Sequence, residues 1–268
     1  MINFIIRTFK KYPWFKRFNA KITYEFLAKK IPAREWQFMN YGYVPDESEP
    51  AFSPPADALQ RYPLQMYHYL ALKKSISGKD VLEVGSGRGG GARYLAQYHQ
   101  PASYVGMDLA QSAVGLANQL HNLPNLKFIQ GTAEEIPLKD ESVDVVVNVE
   151  SCHAYGSVDK FLSEVKRVLR PGGYLLLVDF RSSRMDLFFE QLKNCGLEML
   201  EQENISNNVL RAIEAEDPEK RRRIEQLVPK RWQKLFSDFA GVKGSRFYNT
   251  LKDGSRLYYR FVMQKKPI

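Results

Sequence analysis

Between residues 81 and 178 the chain alternates short aliphatic runs with helical patterns, and this alternation constrains the fold more than any other feature. The runs are Val81–Val84, Tyr104–Met107, Leu126–Ile129, Val143–Val149 and Tyr174–Val178, with helices expected near 91–99, 111–120, 159–169 and 184–194. Such alternation builds a parallel sheet through right-handed crossovers, with helices on both faces. Several runs are apolar throughout, which fits strands covered on both sides. Further strands are expected at 197–203 and at Leu257–Gln264, the latter after the turn Lys252-Asp253-Gly254. Sheets of this class bind ligands beyond the carboxyl ends of their strands.

At that edge, Val81-Leu82-Glu83-Val84-Gly85-Ser86-Gly87-Arg88-Gly89-Gly90-Gly91 reads as a strand, a glycine-rich turn and a helix start. Glycine admits positive φ there and lets a ligand approach the backbone. The G-x-G-x-x-G spacing alone is shared by nicotinamide and flavin folds, and a tight turn without a ligand also satisfies it. Asp108 closes the second strand, where a carboxylate can accept both hydroxyls of an adenosine ribose, in NAD or in S-adenosylmethionine. Glu83 separates the two. It lies inside the first strand, where a pyrophosphate would repel it and a cation such as a methionyl ammonium would suit it.

From these residues the chain resembles the class I S-adenosylmethionine-dependent methyltransferases, strongly over 78–180 and more loosely outside. Val81–Gly91, Gly106-Met107-Asp108-Leu109, Gly131–Leu138, Ser142–Tyr155 and Val168–Tyr174 carry the likeness, in order. The resemblance implies an α/β, Rossmann-like, seven-stranded sheet of order 3-2-1-4-5-7-6 with the last strand antiparallel. It implies a helical lid over 1–70, a cofactor-binding core over 71–204, a late helical insertion over 205–242 and a closing helix and strand over 243–268. For the cofactor it implies Glu83, Gly85, Ser86, Gly87, Gly89, Asp108 and Leu109, then Thr132, Ala133 and Glu134 about the adenine. Asn148 and Glu150 follow strand four, and Tyr43 and Tyr67 are expected at the methionyl end. Many relatives carry Asp where this chain has Thr132, whose hydroxyl can still hydrogen-bond. The rival dehydrogenase reading does not explain the in-strand Glu83 or the Arg170-Pro171-Gly172-Gly173 turn.

Methyl transfer to an alcohol requires that the acceptor be aligned and its proton removed, work suited to histidine. His153 follows strand four, and Asp179 ends strand five, so Asp179 can orient it. Such a dyad resembles that of small-molecule O-methyltransferases acting on sugars and polyketides. The competing reading has His153 satisfying a backbone carbonyl and Asp179 capping the next helix. Cys152 and Tyr155 are expected at the substrate pocket, Cys152 as a small packed residue, since methyl transfer needs no nucleophile. No Asp-Asp-Asn cluster surrounds strand five, so no metal is expected.

The net charge of +9 invites a nucleic-acid reading, but its distribution redirects it. Residues 1–34 hold nine Lys/Arg against one acid (+8), residues 35–204 hold 15 against 22 (−7), and residues 205–268 hold 15 against seven (+8). Tyr12, Trp14 and Phe15 sit among Lys10, Lys11, Lys16 and Arg17, a pattern that fits nucleic acid, a membrane interface or a lid. The lid reading is preferred, with Trp36 and Tyr41 extending its apolar wall. Lys220–Arg223 is expected on the solvated side of a helical stretch at 206–239, where it can dock an acidic carrier protein. Two cysteines make no disulfide framework, no apolar run approaches a membrane span, and Arg7, Lys10 and Lys11 break up the N-terminal apolar residues, so a cytoplasmic protein is expected.

Asn148–Tyr155 and the C-terminal pattern around Leu257-Tyr258-Tyr259 are similar to phthiotriol-type lipid methyltransferases and to the O-methyltransferases of microcystin and nodularin assembly. That likeness implies O-methylation of a hydroxyl on a hydrophobic polyketide or polyketide–peptide, free or carrier-tethered, with a complex lipid alcohol as the alternative. An RNA or protein methyltransferase, and a binding protein that keeps the cofactor fold without catalysis, are the readings from other classes.

Overall fold

The computed structural model describes residues 36–49, 52–55, 60–181 and 185–267. Chain order runs α1 (Arg61–Ala71), β1 (Asp80–Val84), α2 (Gly90–Tyr98), β2 (Ser103–Asp108), α3 (Gln111–Leu120), β3 (Leu126–Gln130) and β4 (Val143–Val149). A short 3-10 turn (Cys152–Ala154) leads to α4 (Val158–Val168), β5 (Leu169–Arg181), α5 (Met185–Asn194) and β6 (Glu198–Asn204). The chain closes with α6 (Ser206–Leu227), α7 (Lys230–Ala240), α8 (Arg246–Lys252) and β7 (Leu257–Gln264). The seven strands form one sheet in the order β3-β2-β1-β4-β5-β7-β6. β7 runs antiparallel to both β5 and β6, and the other pairs are parallel, as the resemblance implies.

Successive strand residues face opposite ways, so each apolar run feeds two cores. Val81 joins Val145, Val147, Leu176 and Val178 beneath α1, α2, α6 and α8. Leu82 and Val84 join Val105, Val146, Leu175 and Leu177 beneath α4 and α5. This double coverage is why the runs show no polar alternation. α4 illustrates the helical side: Ser157 caps it by accepting from the Lys160 amide at 3.2 Å, Asp159 lies in its first turn and Lys166 and Arg167 in its last, matching the helix dipole. Its Phe161, Leu162, Val165 and Val168 share one face and are buried.

Three expectations change. The strand expected to begin at Tyr174 starts at Leu169, and the Arg-Pro-Gly-Gly segment is a bulge between the pairs Val143–Leu169 and Val145–Tyr174. The stretch at 206–239 is two helices parted at Val228-Pro229, where Val228 turns extended ahead of the proline, although α6 itself runs through Pro218. Lys220 and Arg223 are not on a solvated face: with Glu216, one and two turns earlier, they point inward and form a buried ion-pair group. Only Arg221 and Arg222 are exposed, and both are paired, with Asp217 and Glu219. Residues 1–35, which include Tyr12, Trp14 and Phe15, lie outside the described residues.

One buried charge is part of this frame. Glu83 faces the same way as Val81 and is fully buried in the sheet. Its carboxylate accepts from the Tyr67 hydroxyl of α1 at 2.7 Å and the Tyr104 hydroxyl of β2 at 3.0 Å. Burial pushes the Glu83 carboxyl up to about 7, although both tyrosines favour the ionised form. The folded chain therefore holds this proton more tightly than the unfolded chain. Its contribution to stability is fullest below the ordinary carboxylate range and is lost as pH rises through about 7. Glu83→Gln should thus gain thermal stability relative to the parent between pH 5 and 8, measured as the difference in Tm by calorimetry. A difference that stays constant over that range would show that Glu83 titrates alike in both states.

Candidate active site

The turn after β1 hangs on the end of β2. The Gly85 and Ser86 amides donate to the Met107 carbonyl at 2.8 and 3.0 Å. Gly85 has φ +82, and a Cβ there would lie 2.4 Å from Ser151 Oγ, so glycine is required twice over. The Gly87 amide then donates to Asp108 Oδ2 at 2.8 Å, while the Ala110 amide donates to Oδ1 at 2.9 Å. Backbone groups on both sides thereby fix the Asp108 carboxylate at the carboxyl edge.

β4 lies beside β1 and sends its own end to the same place. The Val84 carbonyl accepts from Asn148 Nδ2 at 2.9 Å, Ser151 Oγ at 3.1 Å and the Tyr155 hydroxyl at 3.2 Å. Glu150, between these residues, has φ +50, a left-handed conformation uncommon for a residue with a side chain. Its Oε1 accepts from the Tyr41 amide at 2.9 Å. Burial pushes its carboxyl up to about 8, Asp179 adds to the effect, and Lys220 works against it.

Between these ends opens a cleft enclosing about 970 Å³ of space, part of it continuous with solvent. Of the residues singled out in the sequence, Gly85, Ser86, Gly87, Asp108, Leu109, Thr132, Ala133, Glu134, Glu150, Tyr67 and Tyr155 line it. Ser86 Oγ, on the cleft wall, is buried without a hydrogen-bond partner among the described residues, as is Asn148 Oδ1 behind it. Asp108, an apolar slot of Met107, Leu109 and Ala133, and a polar end at Ser86 and Glu150 suit an elongated ligand with sugar hydroxyls, a flat ring and a charged end.

Other expected residues stand elsewhere. Glu83 is behind the cleft wall, with Tyr67 interposed. Gly89 caps α2 against Phe128. Tyr43 turns away: its hydroxyl donates to Glu49 and its ring stacks on Tyr69 with centroids 3.9 Å apart. Trp36 packs with Ile224, Val228 and Phe236 of the late insertion. The Tyr41 ring stacks on Phe247 at 3.8 Å, so only its backbone reaches the site. Cys152 is buried, with Arg181 Nη2 donating to its Sγ at 3.2 Å, and it does not face the cleft.

His153 and Asp179 meet just outside the cleft lining. The His153 amide is 2.7 Å from Asp179 Oδ2 and its Nδ1 is 2.8 Å from Oδ1. Burial alone would raise the Asp179 carboxyl, but His153 and Arg181 beside it hold it below the usual carboxylate range. Arg181, 3.2 Å from Asp179, was not singled out in the sequence because nothing near it in the chain marks it. Gln37, Met39, Asn40, Arg88 and Ser151 also line the cleft unannounced. Ser151 stands within a quoted motif, whereas the 37–40 segment carries no local signal.

Among the described residues no group of His, Cys, Asp or Glu side chains is placed to hold a metal ion, and no helix is long and apolar enough to cross a membrane. A family model described as a methyltransferase domain matches residues 82–177. The chain is 36% identical over 250 residues to the fatty-acid O-methyltransferase of Mycolicibacterium smegmatis, covering 91% of this chain and 89% of that protein. It is 35% identical over 246 residues to the phthiotriol/phenolphthiotriol dimycocerosates methyltransferase of Mycobacterium leprae, covering 90% of each. Geranyl diphosphate C-methyltransferase from Streptomyces coelicolor A3(2), solved with S-adenosyl-L-homocysteine, shares the fold at a TM-score of 0.67 and 14% identity over 93% of this chain and 98% of that one. The cyclase SpnF shares it at 0.63 and 19% identity over 85% and 87%. Matched along nearly its whole length by methyltransferases and built on their sheet, this chain belongs to the class I S-adenosylmethionine-dependent methyltransferases and is similar to the phthiotriol-type enzymes.

Proposed function

We propose that this methyltransferase carries a methyl group to a hydroxyl oxygen of a long-chain lipid, with His153 as the general base. The fatty-acid and phthiotriol relatives are lipid methyltransferases, which supports a lipid acceptor over the polyketide expected from sequence. The observation that carries the mechanism is the His153–Asp179 pair. Because Asp179 stays ionised, it can only accept, so Nδ1 donates to it and the lone pair of the neutral ring is on Nε2. Nε2 has no hydrogen-bond partner among the described residues, and the side chain is 27% exposed, open to an acceptor hydroxyl.

Bound S-adenosylmethionine supplies a methyl group already activated on a sulfonium, so the protein's task is alignment and proton removal. Asp108 would hold the ribose hydroxyls, Ala133 and Leu109 the adenine, and Ser86, Tyr67 and Glu150 the methionyl end. Behind Tyr67, Glu83 accepts its hydroxyl proton and so turns the lone pairs of Tyr67 toward the cleft. His153 takes the proton from the acceptor hydroxyl at Nε2, and Asp179 stabilises the charged imidazole that results.

His153→Ala should lower kcat by about 100-fold or more while the Kd for S-adenosylhomocysteine holds within about twofold. Near-normal turnover would reduce His153 to a structural residue. Asp108→Asn should weaken S-adenosylhomocysteine binding by about tenfold or more in titration calorimetry, since charge-assisted hydrogen bonds are lost. Unchanged affinity would place the ribose elsewhere. With radiolabelled S-adenosylmethionine, long-chain secondary alcohols should yield methyl ethers. Label found only in polyketide–peptide acceptors would restore the other substrate class.

A further inference from the structure

Beside His153 lies a cation that the mechanism above does not use. Phe180, at the end of β5, has its ring centroid 4.2 Å from that of His153. The guanidinium carbon of Arg256, just before β7, lies 4.9 Å from the Phe180 ring centre and 4.3 Å from that of Phe247. The Arg256 Nε donates to Thr250 Oγ1 at 3.1 Å, and its backbone amide donates to the Thr250 carbonyl at 2.7 Å, so backbone and side chain are both anchored. Tyr41 closes the cluster by stacking on Phe247, and its own amide reaches the cleft residue Glu150.

What Arg256 lacks among the described residues is an anion. Three buried or mostly buried arginines, Arg181, Arg223 and Arg260, each meet a carboxylate, and a fourth, Arg88, donates to the Trp36 carbonyl. The terminal amino groups of Arg256 have no hydrogen-bond partner among the described residues, and no acid pairs with it. The titratable groups facing it are Tyr41, Tyr258 and Arg246, and its partial burial works against the charged form. A half-buried guanidinium lodged in the corner between two nearly perpendicular aromatic rings, its terminal amino groups without a partner among the described residues, can take a bidentate anion. Removing water around a cation that no described acid compensates is unfavourable, so an anionic ligand is favoured here.

We propose that Arg256 anchors a carboxylate of the acceptor, so that the acceptor is a hydroxy acid with its carboxylate on Arg256 and its hydroxyl at His153, to either side of Phe180. The anion site stands on its own geometry, while the placement of the hydroxyl rests on the reading of His153 above. Arg256 then sets which lipids are taken: a neutral alcohol leaves the guanidinium unpaired and is disfavoured.

Titration calorimetry on the full chain loaded with S-adenosylhomocysteine tests this with decanoate and decan-1-ol. Arg256→Gln should weaken decanoate binding tenfold or more and change decanol binding less than twofold, whereas Arg256→Lys, which keeps the charge without the fork, should fall between. Retained decanol binding and an unchanged Tm establish that a variant is folded. Equal loss of both probes, or decanoate binding unaffected in both variants, overturns the proposal. Turnover of 3-hydroxydecanoate and its methyl ester separates this from the functional reading. A raised KM for the acid alone in Arg256→Gln, with kcat unchanged, supports the anchor. Methylation of the acid equally by parent and variant sinks the anchor and leaves O-methylation standing. Selective decanoate loss with no methylation of either compound keeps the anion site and removes the hydroxyl reading.

Discussion

The Val84 carbonyl is where the site is tied together. It ends β1, and it takes hydrogen bonds from Asn148, Ser151 and Tyr155, all at or beyond the end of β4. Only because β1 and β4 are neighbours in the sheet can one backbone oxygen gather three side chains from another strand. Gly85 follows directly, with no room for a Cβ beside Ser151, so the glycine turn and the segment after β4 interlock. The cleft is the space left between them. In open parallel sheets this is the point where connections leave in opposite directions, and it is where a crevice must form.

Three buried carboxylates share this edge of the sheet and meet different fates. Glu83 has neutral hydroxyl partners, so burial prevails and its proton is held to about neutral pH. Glu150 is pushed further, to about 8, with Asp179 nearby and Lys220 only partly offsetting it. Asp179 is equally buried but has His153 and Arg181 against it, and it is held ionised. The neighbour, not the depth, decides the charge. Asp179 thus keeps a fixed negative charge against His153, while Glu150 at the cleft and Glu83 behind its wall take up a proton near neutral pH.

The strands, the glycine turn and Asp108 were legible in the sequence because each is written locally, in strand-length runs and a short motif, whereas the sheet order came only with the family resemblance. The His153–Asp179 contact was legible one step further, from strand adjacency alone. Other features depend on partners far along the chain. Lys220 and Arg223 look like part of a solvated run until Glu216 is seen one and two turns back on the same inward face. Tyr43 has the composition of a pocket residue, yet Tyr69 and Glu49 claim it. Arg256 sits in an unremarkable turn sequence, and only the packing of β5, β7 and α8 brings its guanidinium over Phe180.

The wall of the cleft nearest Glu150 has a bearing on how the molecule is made. Tyr41 meets Glu150 across 109 positions of sequence and the Phe239 carbonyl across 198. Contacts this distant carry a loop-closure cost that local structure does not, and they form late. During synthesis the segment around Tyr41 can close on Gln60, Tyr62 and Pro63 early, but its hydrogen bond to Glu150 must wait for β4 and its bond to the Phe239 carbonyl for α7. The described residues that line the cleft lie between Gln37 and Tyr155, so they are made before α7 and α8, whose Phe239 and Phe247 hold the Tyr41 side chain.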